Sequence, residues 1–210
     1  TADVAYFRYG YAGAASRRAI VRDDCLAELT ELASSVTRGQ RMRVLYVYYG
    51  TAGIAGAYVH GLASAIAGSR DVEYHFAVNR YYAFTENGSN IRVLRLFFPV
   101  SEGINSRGRR TRAARLLRLS IRALELTLGY AYLVWYAMSH RIDVVNLSLI
   151  DDEWPTFLFA RSVKLLGKRL YVTAHDSIPY GLRGRKARRQ KLFMLADRLV
   201  VHETHVKDNL

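Results

Sequence analysis

The stretch Gly50-Thr51-Ala52-Gly53-Ile54-Ala55-Gly56 stands between an apolar run and a series of small helix-compatible residues. A strand-to-helix turn without bulky side chains lets backbone N–H groups and the helix dipole approach a phosphate. Gly50, Thr51 and Gly53 are therefore candidates for an anion cradle, although a tight turn alone also demands such glycines. His175 closes the run Val172-Thr173-Ala174 and is followed by Asp176. An imidazole titrates near neutrality, so His175 is the candidate catalytic group, able to hydrogen-bond a sugar hydroxyl or manage a proton, with Asp176 beside it as a binding group. The structural alternative is a histidine that caps a strand or pairs with Asp176. Asp151-Asp152-Glu153 offers carboxylates to acceptor hydroxyls or a cation, or caps the next helix; Asp151 is taken as a candidate acceptor contact.

Several chemistries lack their residues. The glycine spacing fits neither G-x-G-x-x-G nor the P-loop, and Asn79-Arg80 stands where a nicotinamide dehydrogenase wants an acid for the ribose. No His or Cys accompanies the Asp151 cluster at ligand spacing, so no metal and no cofactor are expected. No G-x-S-x-G elbow supports a Ser/His/Asp triad. Cys25 is the only cysteine among 210 residues, which excludes an internal disulfide and fits a reducing, cytoplasmic setting. A net charge of +13 and a pI near 10.1 point to an anionic partner: nucleic acid, phospholipid or a phosphorylated substrate.

Elements that could position these groups alternate along the chain. Residues 43–49, 72–78, 91–97, 143–147, 169–175 and 198–202 read as six strands, rich in β-branched and aromatic residues. Helices are expected near 56–67, over 109–138, over 156–166 up to Gly167, and near 186–196. Strands alternating with helices specify an α/β fold, a doubly wound, mostly parallel sheet covered on both faces. In such a sheet ligands gather beyond the carboxyl ends of the strands where strand order reverses, expected here between the first and fourth of the six. The site would then be built from the loops at Gly50, Ser148 and His175. Residues 1–40 form a separate extension with one amphipathic helix around Cys25–Val36, and residues 41–210 form the domain.

Within 109–138, Ala113, Leu117, Ile121, Leu124, Leu128, Tyr132 and Trp135 make one helical stripe, with Arg112, Arg115, Arg118 and Arg122 largely off it. Two readings stay open. The helix lies on an anionic membrane, arginines on headgroups and Trp135 at the interface, or it packs on the sheet with a solvated basic face. Arg183, Arg185, Lys186, Arg188, Arg189 and Lys191 form a second basic cluster.

Four segments together resemble a known pattern. The glycine loop with the following helix Ala57–Ile66, the strand Asp143-Val144-Val145-Asn146, the segment Leu165–Asp176 and the segment Ala196–His202 are similar, in order, to the amino-terminal domain of retaining family-four glycosyltransferases of the GT-B type. The resemblance implies a Rossmann-like domain, one half of a GT-B fold, that holds the acceptor. It also implies a nucleotide-sugar donor held chiefly by a second Rossmann domain, with chemistry in the cleft between them and no obligatory metal. It places the phosphate-approaching loop on Gly50 and Gly53 and the histidine that contacts the transferred sugar on His175. A single glycine in Ala52-Gly53, where adjacent glycines are common, and Glu203, where serine is common, depart from the pattern.

The resulting expectation is a glycosyltransferase domain acting on a glycan or lipid-linked acceptor in cell-envelope or exopolysaccharide synthesis, peripheral on the inner face of the membrane. The start at Thr1 and the close on Lys207-Asp208-Asn209-Leu210 suggest a fragment lacking the donor domain and inactive alone. The alternatives are a basic nucleic-acid-binding module, for which no recognised motif appears, and a stand-alone ligand-binding Rossmann-like domain.

Overall fold

A computed structural model describes residues 3–6, 41–50, 54–67, 70–83, 85, 88–102, 112–149, 154–174 and 184–201. Its elements run β1 (Asp3–Tyr6), β2 (Met42–Tyr48), α1 (Ile54–Ile66), β3 (Val72–Asn79), β4 (Ile91–Phe97), α2 (Arg112–Ser139), β5 (Val144–Leu149), α3 (Trp154–Leu165), β6 (Arg169–Ala174), α4 (Gly184–Leu195) and β7 (Arg198–Val201). The strands form one sheet of order β1-β7-β6-β5-β2-β3-β4, and all of its pairings are parallel. The six expected strands are present, and Asp3–Tyr6 adds a seventh at the edge beside β7. That strand lies in the extension for which only a helix around Cys25–Val36 was expected. Four residues without alternation are too short to announce a strand, which depends here on the waiting edge of β7.

The alternation of β2 divides two cores. Leu45 and Val47 face the side covered by α2, α3 and α4, where Leu126, Tyr130, Leu133, Phe159, Val163, Leu170, Val172, Leu192 and Leu199 join them. Val44, Tyr46 and Tyr48 face the other side, with Val59, Leu62 and Ala63 of α1 and with Tyr74, Phe76 and Val78 of β3. Both faces are buried, which is why the strands read as nearly continuous apolar runs.

Helix boundaries obey local rules. Past α3, Gly167 takes φ +68°, its N–H donates to Lys164 O at 3.0 Å, and Lys168 N–H donates to Val163 O at 3.2 Å. Reversed curvature of this kind stops a helix and suits a residue without Cβ. Arg141 ends α2 the same way at φ 51°, with Ile142 N–H donating to Ala137 O at 3.0 Å.

The orientation of α2 was left open by the sequence. Leu117, Leu124, Leu128 and Trp135 of the apolar stripe are 61%, 60%, 60% and 54% exposed, while Leu126, Gly129, Tyr130, Leu133, Tyr136 and Ala137 are buried. At 100° per residue these two sets lie on opposite sides of the helix. The helix is apolar on both, and periodicity could not tell which one meets the sheet.

Candidate functional site

The strand order reverses between β2 and β5, the pair expected from the sequence. Register makes the carboxyl rim level across three strands: Val47 pairs with Leu147, and Leu147 with Val172. Gly50 and position 175 each follow three residues after that common level. With strands about 4.8 Å apart, β2 and β6 leave the sheet roughly 10 Å from each other on either side of β5. Gly50 is half-buried at this rim. Thr51, Gly53, Asp151, His175 and Asp176 lie outside the described residues.

The α1 side of the rim is polar. Asn146, Ser148 and Thr173 alternate with the apolar residues of β5 and β6, Ser148 and Thr173 are buried, and Thr173 Oγ1 donates to Asn146 Oδ1 at 3.0 Å. Buried parallel strands are otherwise apolar, so polar residues gathered at their carboxyl ends mark the ligand side of the sheet. Tyr48 ends β2 beside them, and burial raises its pKa, keeping the phenol protonated.

Asn79, at the end of β3, is buried and committed. Its Nδ2 donates to Tyr49 O at 3.1 Å, and its Oδ1 accepts the Tyr81 N–H at 2.9 Å. The amide thus fixes the backbone one residue before Gly50, in the place where a dinucleotide enzyme would carry an acid. Sequence reasoning noted the missing acid but not this brace; a lone Asn at a strand end carries no signal of its partner.

On the α2 side the rim is aromatic. Tyr49 meets Phe97 and Phe98 edge-on at 5.8 and 5.7 Å, Phe97 meets Tyr130 at 5.7 Å, and Tyr130 stacks on Phe159 at 4.6 Å. Buried Phe98 has φ 59°, an unfavourable conformation for a bulky residue. The Arg122 guanidinium lies 3.9 Å over its ring and pairs with Glu102 at 2.8 Å. Glu125 accepts the Val100 N–H at 2.6 Å, tying the same turn to α2.

The arginines and Trp135 do not share a face. Arg112, Arg115, Arg118 and Arg122 continue the buried stripe of α2, whereas Trp135 points outward. Outward residues of α3 extend that apolar exterior: Trp154, Leu158 and Leu165 are exposed. Among the described residues no helix is long and apolar enough to cross a membrane.

Solved structures resemble this chain in fold. A UDP-N-acetylglucosamine 2-epimerase matches with TM-score 0.51 and 16% identity over 81% of this chain and 44% of its own. A putative UDP-N-acetylglucosamine 2-epimerase from Listeria monocytogenes matches with TM-score 0.50 and 13% identity over 81% and 42%. MurG from Acinetobacter baumannii gives TM-score 0.45 and 13% identity over 76% and 41%. The chain has the fold of one half of a GT-B protein. It spans less than half the length of each of these structures. No family model and no curated protein matches the chain. In this GT-B half the carboxyl rim of the sheet is the side on which Gly50, the polar floor and the Asn79 brace converge.

Proposed function

We propose that the chain is the acceptor-side half of a glycosyltransferase of the retaining family-four type. It serves transfer of a sugar from a nucleotide-sugar donor to a glycan or lipid-linked acceptor in cell-envelope or exopolysaccharide synthesis. The observation that carries this reading is the level rim at the β2/β5 switch point, where Gly50 and the chain leading to His175 depart on either side of a polar floor. Gly50, Thr51 and Gly53 approach a diphosphate through backbone N–H groups, and Asp151 and Asp176 accept hydrogen bonds from acceptor hydroxyls. His175 contacts the transferred sugar. The outward apolar face of α2 and α3 supports peripheral binding to the cytoplasmic membrane, Trp135 and Trp154 sitting at the interface.

The two matches at TM-scores of 0.51 and 0.50 favour a second reading, a sugar-nucleotide epimerase. One experiment separates them. The full-length protein is incubated with a panel of nucleotide sugars, with and without glycan and lipid-linked acceptors. Sugar appearing on an acceptor supports transfer, inversion at C2 without acceptor supports epimerisation, and neither reaction with any donor removes both.

A further inference from the structure

The inner face of α2 changes character where the sheet ends. Arg112, Arg115, Arg118, Arg122, Leu126, Gly129, Leu133 and Ala137 follow at spacings of three and four, one continuous face of the helix. Its carboxyl half is core. The helix runs antiparallel to the strands: Arg43 at the start of β2 donates to His140 O at 3.0 Å, while Gly129 packs on Phe97 at the end of β4. Twenty-eight residues span roughly 42 Å, against roughly 23 Å for a seven-residue strand. The first turns of α2 must therefore project beyond the carboxyl rim, and Arg112 lies roughly 25 Å along the helix past Gly129.

The side that is apolar over the sheet is thus cationic over the rim. Arg122 is anchored by Phe98 and Glu102 at its base. Arg112 and Arg115 are exposed, and Arg118 stands partly exposed beside them. Glu125 is the only acidic residue in the helix, and its carboxylate is occupied by the Val100 and Ser101 amides. Leu117, Leu124 and Leu128 lie on the far side, so the row does not face the Leu124–Trp135 surface that α2 offers to lipid, while exposed Leu116 and Leu119 stand beside it.

The geometry points to a second anion site: Arg112, Arg115 and Arg118 bind the phosphates of an extended, multiply charged acceptor that lies along the overhang of α2. Spacings of three residues set the guanidinium stems roughly 4.5 Å apart along the axis, suited to successive negative charges on one linear ligand. The row rises away from Gly50, so it serves phosphates other than the diphosphate proposed for the glycine turn. This deepens the acceptor side of the proposed function and, in naming an acceptor, rests on that reading.

The test uses the full-length protein and inorganic tripolyphosphate, with binding followed calorimetrically at low and moderate salt. The triple variant Arg112→Gln/Arg115→Gln/Arg118→Gln is expected to bind about tenfold more weakly at an unchanged melting temperature. The outward variant Arg161→Gln is expected to bind as the parent does. Equal weakening by Arg161→Gln would reduce the effect to net charge, and a lowered melting temperature with unchanged affinity would make the row structural; either overturns the site. Displacement of tripolyphosphate by single-stranded DNA at far lower phosphate concentration would also overturn it in favour of nucleic acid. If the triple variant does not fold, Arg115→Gln alone is expected to weaken binding about twofold, and no change overturns the site. Tripolyphosphate binding lost in the variants, together with absent sugar chemistry, would leave the site standing and remove only the proposed function.

Discussion

His75 Nδ1 and the Tyr136 hydroxyl lie 2.7 Å apart in the interior, joining the middle of β3 to the last turns of α2. Burial raises the Tyr136 pKa, so the phenol keeps its proton, and the His75 tautomer decides which of the two groups donates. The other ring nitrogen, Nε2, faces Glu73 Oε1 at 3.4 Å. His140 stacks on Tyr136 at 3.8 Å between ring centres, and Arg43 and Arg92 hold Glu73 from outside at 3.4 and 2.9 Å.

A pH dependence follows. Burial lowers the His75 pKa to about 4; Glu73 opposes this, and Arg92, His140 and Arg43 add to it. The unfolded histidine titrates near 6.5, so between pH 6.5 and 4 the unfolded chain binds more protons. Stability is full above pH 6.5 and falls as pH drops through that window, by at most roughly 3 kcal/mol at pH 4. Urea unfolding at pH 7 and 4.5 measures the slope, which His75→Gln is expected to flatten. An unaltered slope in that variant would contradict the assignment.

Gly129 lets α2 touch the sheet. A Cβ there would stand 2.9 Å from Phe97 Cε1, and Phe97 is locked among other rings. Gly129→Ala gains up to about 1 kcal/mol of helix propensity but overpacks the contact by about 1–3 kcal/mol. A net loss near 1–2 kcal/mol corresponds to a melting temperature lower by roughly 2–8 °C, readable by calorimetry.

Gly167 fails for the opposite reason. Nothing lies within 4 Å of a Cβ built there, yet its φ is +68°. Gly167→Ala is expected to cost about 1 kcal/mol through backbone strain alone. Gly167→Asn, which tolerates this conformation better, should recover part of that loss in the same unfolding assay.

Asn79→Ala leaves the buried Tyr49 carbonyl without its side-chain donor, at a cost of about 1–3 kcal/mol. Because the brace lies next to Gly50, the proposed function predicts that KM for a nucleotide sugar rises in the full-length protein more than kcat falls. A variant equally stable and kinetically unchanged would show that the turn holds itself.

Leu124→Ser/Leu128→Ser/Trp135→Ser alters only outward residues of α2, so the change in stability should stay within about 1–2 kcal/mol. Co-sedimentation with vesicles containing anionic lipid is expected to fall severalfold. Unchanged sedimentation would refer the apolar exterior to a protein partner.

Strand and helix order were legible because each element is written locally: β-branched and aromatic runs, glycine at the β2 exit and at the α3 cap, and basic or small residues between. The switch point followed from that order, since right-handed crossovers leave few ways to arrange it. The face that α2 turns inward was not legible, because Leu117–Trp135 and Leu126–Ala137 repeat equally well. Only contact with Phe97 and His75, far away in sequence, chooses between them. The Asn79–Tyr49, His75–Tyr136 and Arg122–Phe98 pairs were hidden for the same reason. A side chain's type is local, while its partner is set by how distant segments pack, and that placed the arginine row beyond the rim instead of on the outer surface.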